Sequence, residues 1–92
     1  MDKEAVKGCL RREVALWSAK SFDTLAAELN DIVAYERSEP SPHQVEVELL
    51  EMEPGYVQVM VGIDAGGFTS FAPLSAGFLV HRDGRVEIPD LA

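Results

Sequence analysis

The chain has 92 residues, 47% of them hydrophobic, with 16 acidic against 8 basic residues for a formal net charge of -8. That length builds a single domain over residues 1–92 with one modest core, and leaves no room for a separate catalytic domain. The charge repels phosphate backbones, which argues against nucleic-acid binding, and the apolar runs fall far short of the ~20 residues of a membrane-spanning helix. The opening MDKEAVKG lacks the basic-then-apolar layout of a signal peptide, and Cys9 has no second cysteine to pair with, so a soluble cytoplasmic protein is expected.

A helix is predicted from Asp2 to about Ala19. Val6, Leu10 and Trp17, flanked by Cys9 and Val14, form one apolar stripe, and the acids of DKE suit the positive end of the helix dipole. Glu13 falls near the middle of that stripe. A carboxylate buried there has a raised pKa unless it is paired, which is how many acid–base sites are built; the plainer reading puts it at the stripe's rim. A second helix is predicted over KSFDTLAAELNDI, with Ser21 as N-cap and Phe22, Leu25, Leu29 and Ile32 as its apolar face. After Tyr35, ERSEPSPHQ reads as an extended loop.

From Gln44 the period changes to two. Val45, Val47 and Leu49 alternate with Glu46 and Glu48, and after Pro54-Gly55, a pair suited to a type II turn, Val57, Val59, Val61 and Ile63 share one face of the next strand. A change of parity at Leu49-Leu50 places Leu50 and Met52 with Tyr56 and Met60 on the opposite face. Apolar residues on the side away from the helices suggest a partner surface, most simply a second copy. A short strand is considered around Phe68 to Ala72, and AGFLVHRDGRVEI reads as a hairpin turning at Asp83-Gly84, with His81 facing Val86 and sharing a face with Leu79 and Ile88.

The fold class is therefore α+β: two N-terminal helices packed on one face of an antiparallel sheet of four or five strands, in the order α-α-β-β-(β)-β-β. Gly66-Gly67 lacks the lysine of a phosphate-binding loop and reads as a turn. His43 and His81 lie far apart without cysteine or histidine at ligand spacing, and no serine sits in a nucleophile elbow, so neither metal nor cofactor is expected and no catalytic residue is assigned.

The stretch REVALWSAKSFDTLAAELNDIVAYE, through Trp17, Phe22, Asp23, Leu25, Leu29 and Asp31, resembles the opening of NTF2-like (cystatin-fold, SnoaL-like) proteins. The resemblance implies helices on a curved antiparallel sheet, a conical pocket between them, and dimers through the sheet. Members of that family are usually longer and carry a third helix, and no position here matches one of their catalytic residues.

The leading expectation is a non-enzymatic module that self-associates, as a homodimer or small homo-oligomer, or binds a basic protein, through Leu50, Met52, Tyr56 and Met60. The alternative is a small-molecule pocket with acid–base capacity, with Glu13, Tyr35, Asp64 and His81 as its polar candidates.

Overall fold

Asp2 starts the first helix by accepting the Ala5 amide at 2.8 Å, leaving α1 to run Lys3–Ser18. This is a computed structural model, and it describes residues 1–66 and 74–88. Val6, Cys9, Leu10, Glu13, Val14 and Trp17 recur at three- and four-residue steps along α1, and all are buried. Ser21 caps α2, Phe22–Glu28, by accepting the Thr24 amide.

The second helix ends earlier than its apolar spacing suggests. Leu29 is the C-cap, and Ile32 lies outside the helix and 57% exposed. Asn30 and Asp31 favour a turn, and the Asp31 side chain accepts the Ile32 amide at 2.8 Å. A strand then follows, β1, Val33–Arg37, whose last two residues, Glu36 and Arg37, fall in the segment read as a loop. Val33, Tyr35 and Arg37 alternate with Ala34 and Glu36, a period of two hidden beneath the helical spacing that Ile32 completes.

Strands β2 (His43–Met52), β3 (Tyr56–Asp64), β4 (Leu74–His81) and β5 (Val86–Glu87) follow, and the five form an antiparallel sheet in the order β1-β2-β3-β4-β5. The order of elements is thus α-α-β-β-β-β-β, with β1 as the strand the sequence conceals. The strand considered around Phe68 to Ala72 lies outside the described residues.

Both helices cover one side of the sheet: α1 lies against β3 and β4, and α2 against β3. On this helix side Val45, Val47, Val57, Val59, Val61 and Ile63 are fully buried, with Ala76, Phe78 and Val80 beside them. Each such side chain contributes about 1.5–3 kcal/mol relative to leaving it in water, so this layer dominates the fold's stability. Among the described residues no helix covers the other side, the open side of the sheet.

Three local registers differ from the sequence reading. Pairing runs from Leu49↔Val59 to Glu51↔Gln58, so Leu50 is the extra residue of a bulge. That extra residue turns Glu51 to the open side and sets Met52 opposite Val57, on the parity of the helix side; Met52 therefore does not join Tyr56 and Met60. At the β2–β3 turn Glu53 and Tyr56 exchange both backbone bonds, but Gly55 is outside the left-handed region, which excludes a type II turn. Finally, the last hairpin turns through three residues, not two. The His81 amide donates to the Arg85 carbonyl and the Gly84 amide to the His81 carbonyl, with Gly84 at φ 98°. Val80 then pairs with Val86 and Leu79 with Glu87, so His81 does not face Val86.

Candidate functional site

Glu13 is 0% exposed, and its carboxylate is surrounded by donors. The Tyr35 hydroxyl donates to Oε1 at 2.6 Å. Arg37 grips both oxygens, Nη2 to Oε1 and Nε to Oε2, each at 3.1 Å, and Arg12 Nε reaches Oε2 at 3.4 Å. Trp17 Nε1 donates in turn to the Tyr35 hydroxyl at 2.8 Å. The cluster ties two turns of α1 to the helix-side residues of β1, because Tyr35 and Arg37 lie two apart on one strand face.

Burial by itself raises the pKa of Glu13, but the hydrogen bonds from Arg37 and Tyr35 and the charges of Arg37 and Arg12 outweigh it and hold the carboxyl below its ordinary value. Burial, followed by the bond to the Glu13 carboxylate, raises the pKa of Tyr35. A carboxylate held ionised by this many donors is a poor proton acceptor and a good clamp. The buried carboxylate that stood out in the sequence is thus paired. Its partners Tyr35 and Arg37 lie on the concealed strand, and only Tyr35 was singled out beforehand.

The other two polar candidates are elsewhere. The Asp64 carboxylate accepts the Gly66 amide at 3.0 Å, an Asx-type turn that suits Gly66 at φ 78°. His81 is on the open side at the far corner of the sheet. Its Nε2 donates to Glu87, its Nδ1 accepts from Arg85 Nη2 at 3.4 Å, and its ring packs against Tyr56 with centroids 6.0 Å apart. Both ring nitrogens are engaged, and Tyr56 donates to Glu51. Glu13 and Tyr35 therefore converge, while Asp64 and His81 stand apart from them and from each other. His43, not a candidate beforehand, is buried opposite Arg37, with Nδ1 against the Ser41 carbonyl at 2.8 Å; Nε2 has no partner among the described residues.

The open side has a different character. Its strand residues include Ala34, Glu36, Gln44, Glu46, Glu48, Glu51, Tyr56, Gln58, Met60 and Asp64, with Ser75, Leu79, His81 and Glu87 beyond them. Met60 stands opposite Gly77, and Glu46 opposite Gly62, so missing side chains leave hollows beside Met60. One groove, of about 710 Å³, runs past Gln58, Met60, Leu79 and Glu87 to Val86 and Ile88. A second, of about 250 Å³, lies between Met60, Glu46 and Glu48 and reaches Ile32 and Ser75. Leu50 is 47% exposed at the bulge and Met52 58% exposed at the end of β2, so of the four interface candidates only Tyr56 and Met60 share this face.

Among the described residues no helix is long and apolar enough to cross a membrane. Comparison of the chain with protein-family models, with curated proteins and with solved structures found no match.

Proposed function

We propose that the protein is a binding module whose open sheet face takes a basic protein partner. The observation that supports this is the segregation of charge between the two sides of the sheet. Glu36, Glu46, Glu48, Glu51, Asp64 and Glu87 belong to the open side, and no described strand residue there is Lys or Arg. The cations sit on α1 and just after it, on the helix side of β1, and at the tip of the last hairpin. A mainly acidic face around an apolar centre of Met60 and Leu79, with Arg85 beside His81 at its corner and paired with Asp83, suits a partner with basic residues around an apolar anchor. Two copies meeting face to face would set carboxylate against carboxylate, which favours a basic partner over a second copy.

The test is native mass spectrometry of the chain purified from its own cells at low salt. The expected species is a complex with a second, basic protein. It dissociates as salt is raised and is absent for the Glu46→Lys, Glu48→Lys variant. A bare monomer at low salt, or a partner that stays bound to the charge-reversed face, contradicts the proposal.

A further inference from the structure

We infer that the partner binds as an added strand on the free edge of β1, with basic residues at the two positions facing the open side and an apolar residue between them. The inference rests on the reading of the open face as a surface for a basic partner, and adds the mode and the residue pattern of recognition.

Alternate residues of an antiparallel strand turn their backbone groups to opposite edges. The mutual bonds of Glu53 and Tyr56 fix which residues do so here. Carried through the register, Gln58, Met60 and Gly62 bond toward β2, Glu46 and Glu48 bond back toward β3, and Val45 and Val47 bond toward β1. Their β1 partners are Tyr35 and Val33, so the N–H and C=O of Ala34 and Glu36 point away from the sheet. Both residues are exposed, and among the described residues no hydrogen-bond partner meets these groups. β1 has no charged side chain at Ala34 and no proline to blunt its edge, so it offers pairing to an extended chain.

The side chains on either side of this edge select the occupant. On the open side, Ala34 lies in one row with Glu46, and Glu36 with Gln44. A lysine or arginine opposite Ala34 lays its apolar stem across the methyl group and brings its head to Glu46. One opposite Glu36 pairs with it directly. On the helix side, the intervening residue falls opposite Tyr35 and points into a groove of about 560 Å³ between the end of α1 and β1, lined by Leu16, Trp17, Ala19, Lys20, Tyr35 and Arg37. Leu16 is 51% exposed there, and Lys20 and Arg37 are already paired with Glu28 and Glu13. An apolar guest covers Leu16 and the edges of the two rings without leaving a charge unpaired. A second copy added at this edge would bring its own Glu36 beside Glu46, so the charges favour a basic strand.

The probe is a capped peptide, Thr-Val-Lys-Leu-Lys-Val-Thr, titrated into the isotope-labelled full chain at low salt. Its control is the same peptide N-methylated at both lysines, which keeps the charge and removes the two backbone donors. The expected result is shifted, exchange-protected amides at Ala34 and Glu36, and binding weakened about tenfold by methylation. Glu46→Lys should weaken the unmethylated peptide as well. Equal binding of both peptides, or shifts confined to the surroundings of Met60 and Leu79, overturns edge addition while leaving the open face as the surface for a basic partner. Failure of the unmethylated peptide to bind overturns edge addition too, and the native mass spectrum then shows separately whether a basic partner binds at all.

Discussion

The Tyr35 hydroxyl meets the Glu13 carboxylate at 2.6 Å, and that bond joins the middle of α1 to the edge strand β1. With the two-pronged grip of Arg37 it makes Glu13 the post to which the outermost strand is tied. Removing the post leaves the Tyr35 hydroxyl and the Arg37 guanidinium without their acceptor. Glu13→Ala is expected to cost about 2–3 kcal/mol, less than a wholly buried pair because Arg37 can turn to water. Urea unfolding measures it; a change under ~0.5 kcal/mol, the range of ordinary surface substitutions, would show that the cluster does not anchor β1.

The same carboxylate sets a pH dependence. Its folded pKa is depressed, so the folded state holds the ionised form more firmly than the unfolded chain does. The resulting stability is present above the ordinary glutamate value of 4.5 and is lost as pH falls below it. Thermal unfolding followed from pH 7 downward should show a steep acid-side decline in the wild type, at roughly 1.4 kcal/mol per unit for one full proton, and a shallower one in Glu13→Gln. Parallel curves would remove Glu13 as the titrating group.

The two turns separate by their glycines. Gly84 has φ 98°, a region in which an L side chain is strained, so Gly84→Ala should destabilise by about 1 kcal/mol or more. Gly55 is not in that region, and an added Cβ meets nothing within 4 Å. Gly55→Ala should therefore be neutral or stabilise by a few tenths of a kcal/mol. Chemical denaturation of the two variants side by side checks the turn types, and a reversed ranking would contradict them.

The bulge at Leu50 also makes a stability prediction. Phe78→Ala, 2% exposed in the central layer, should cost about 3–5 kcal/mol, whereas Met52→Ala, 58% exposed past the bulge, should stay within about 0.5 kcal/mol. Thermal melts rank the two; a large loss at Met52 would mean that it is packed rather than exposed.

These elements differ in how plainly the residues announce them. The stripe of α1, the Ser21 cap and the valine face of β3 were legible because one period dominates each segment over several residues. β1 was not, since Leu25, Leu29 and Ile32 sustain a helical spacing up to the residue where Val33 begins a strand. Half of the clamp went unseen with it: Arg37 shares the face of Tyr35 only once the segment is extended. The outer-face cluster failed for a related reason. A single unpaired residue reverses the parity of everything after it, and neither Leu49 nor Leu50 identifies itself as the bulged one. The extra turn residue before Gly84 displaced His81 in the same way.

The central claim is that charge on one face, rather than charge on the chain, selects the partner. Two variants of equal net charge test it directly by native mass spectrometry after purification at low salt. Glu46→Lys, Glu48→Lys reverses the open face, and Glu4→Lys, Asp23→Lys reverses exposed acids of the two helices. The expected result is a basic partner retained by the wild type and by the helix variant and lost from the face variant. Equal loss from both variants, or retention by the face variant, would contradict the claim.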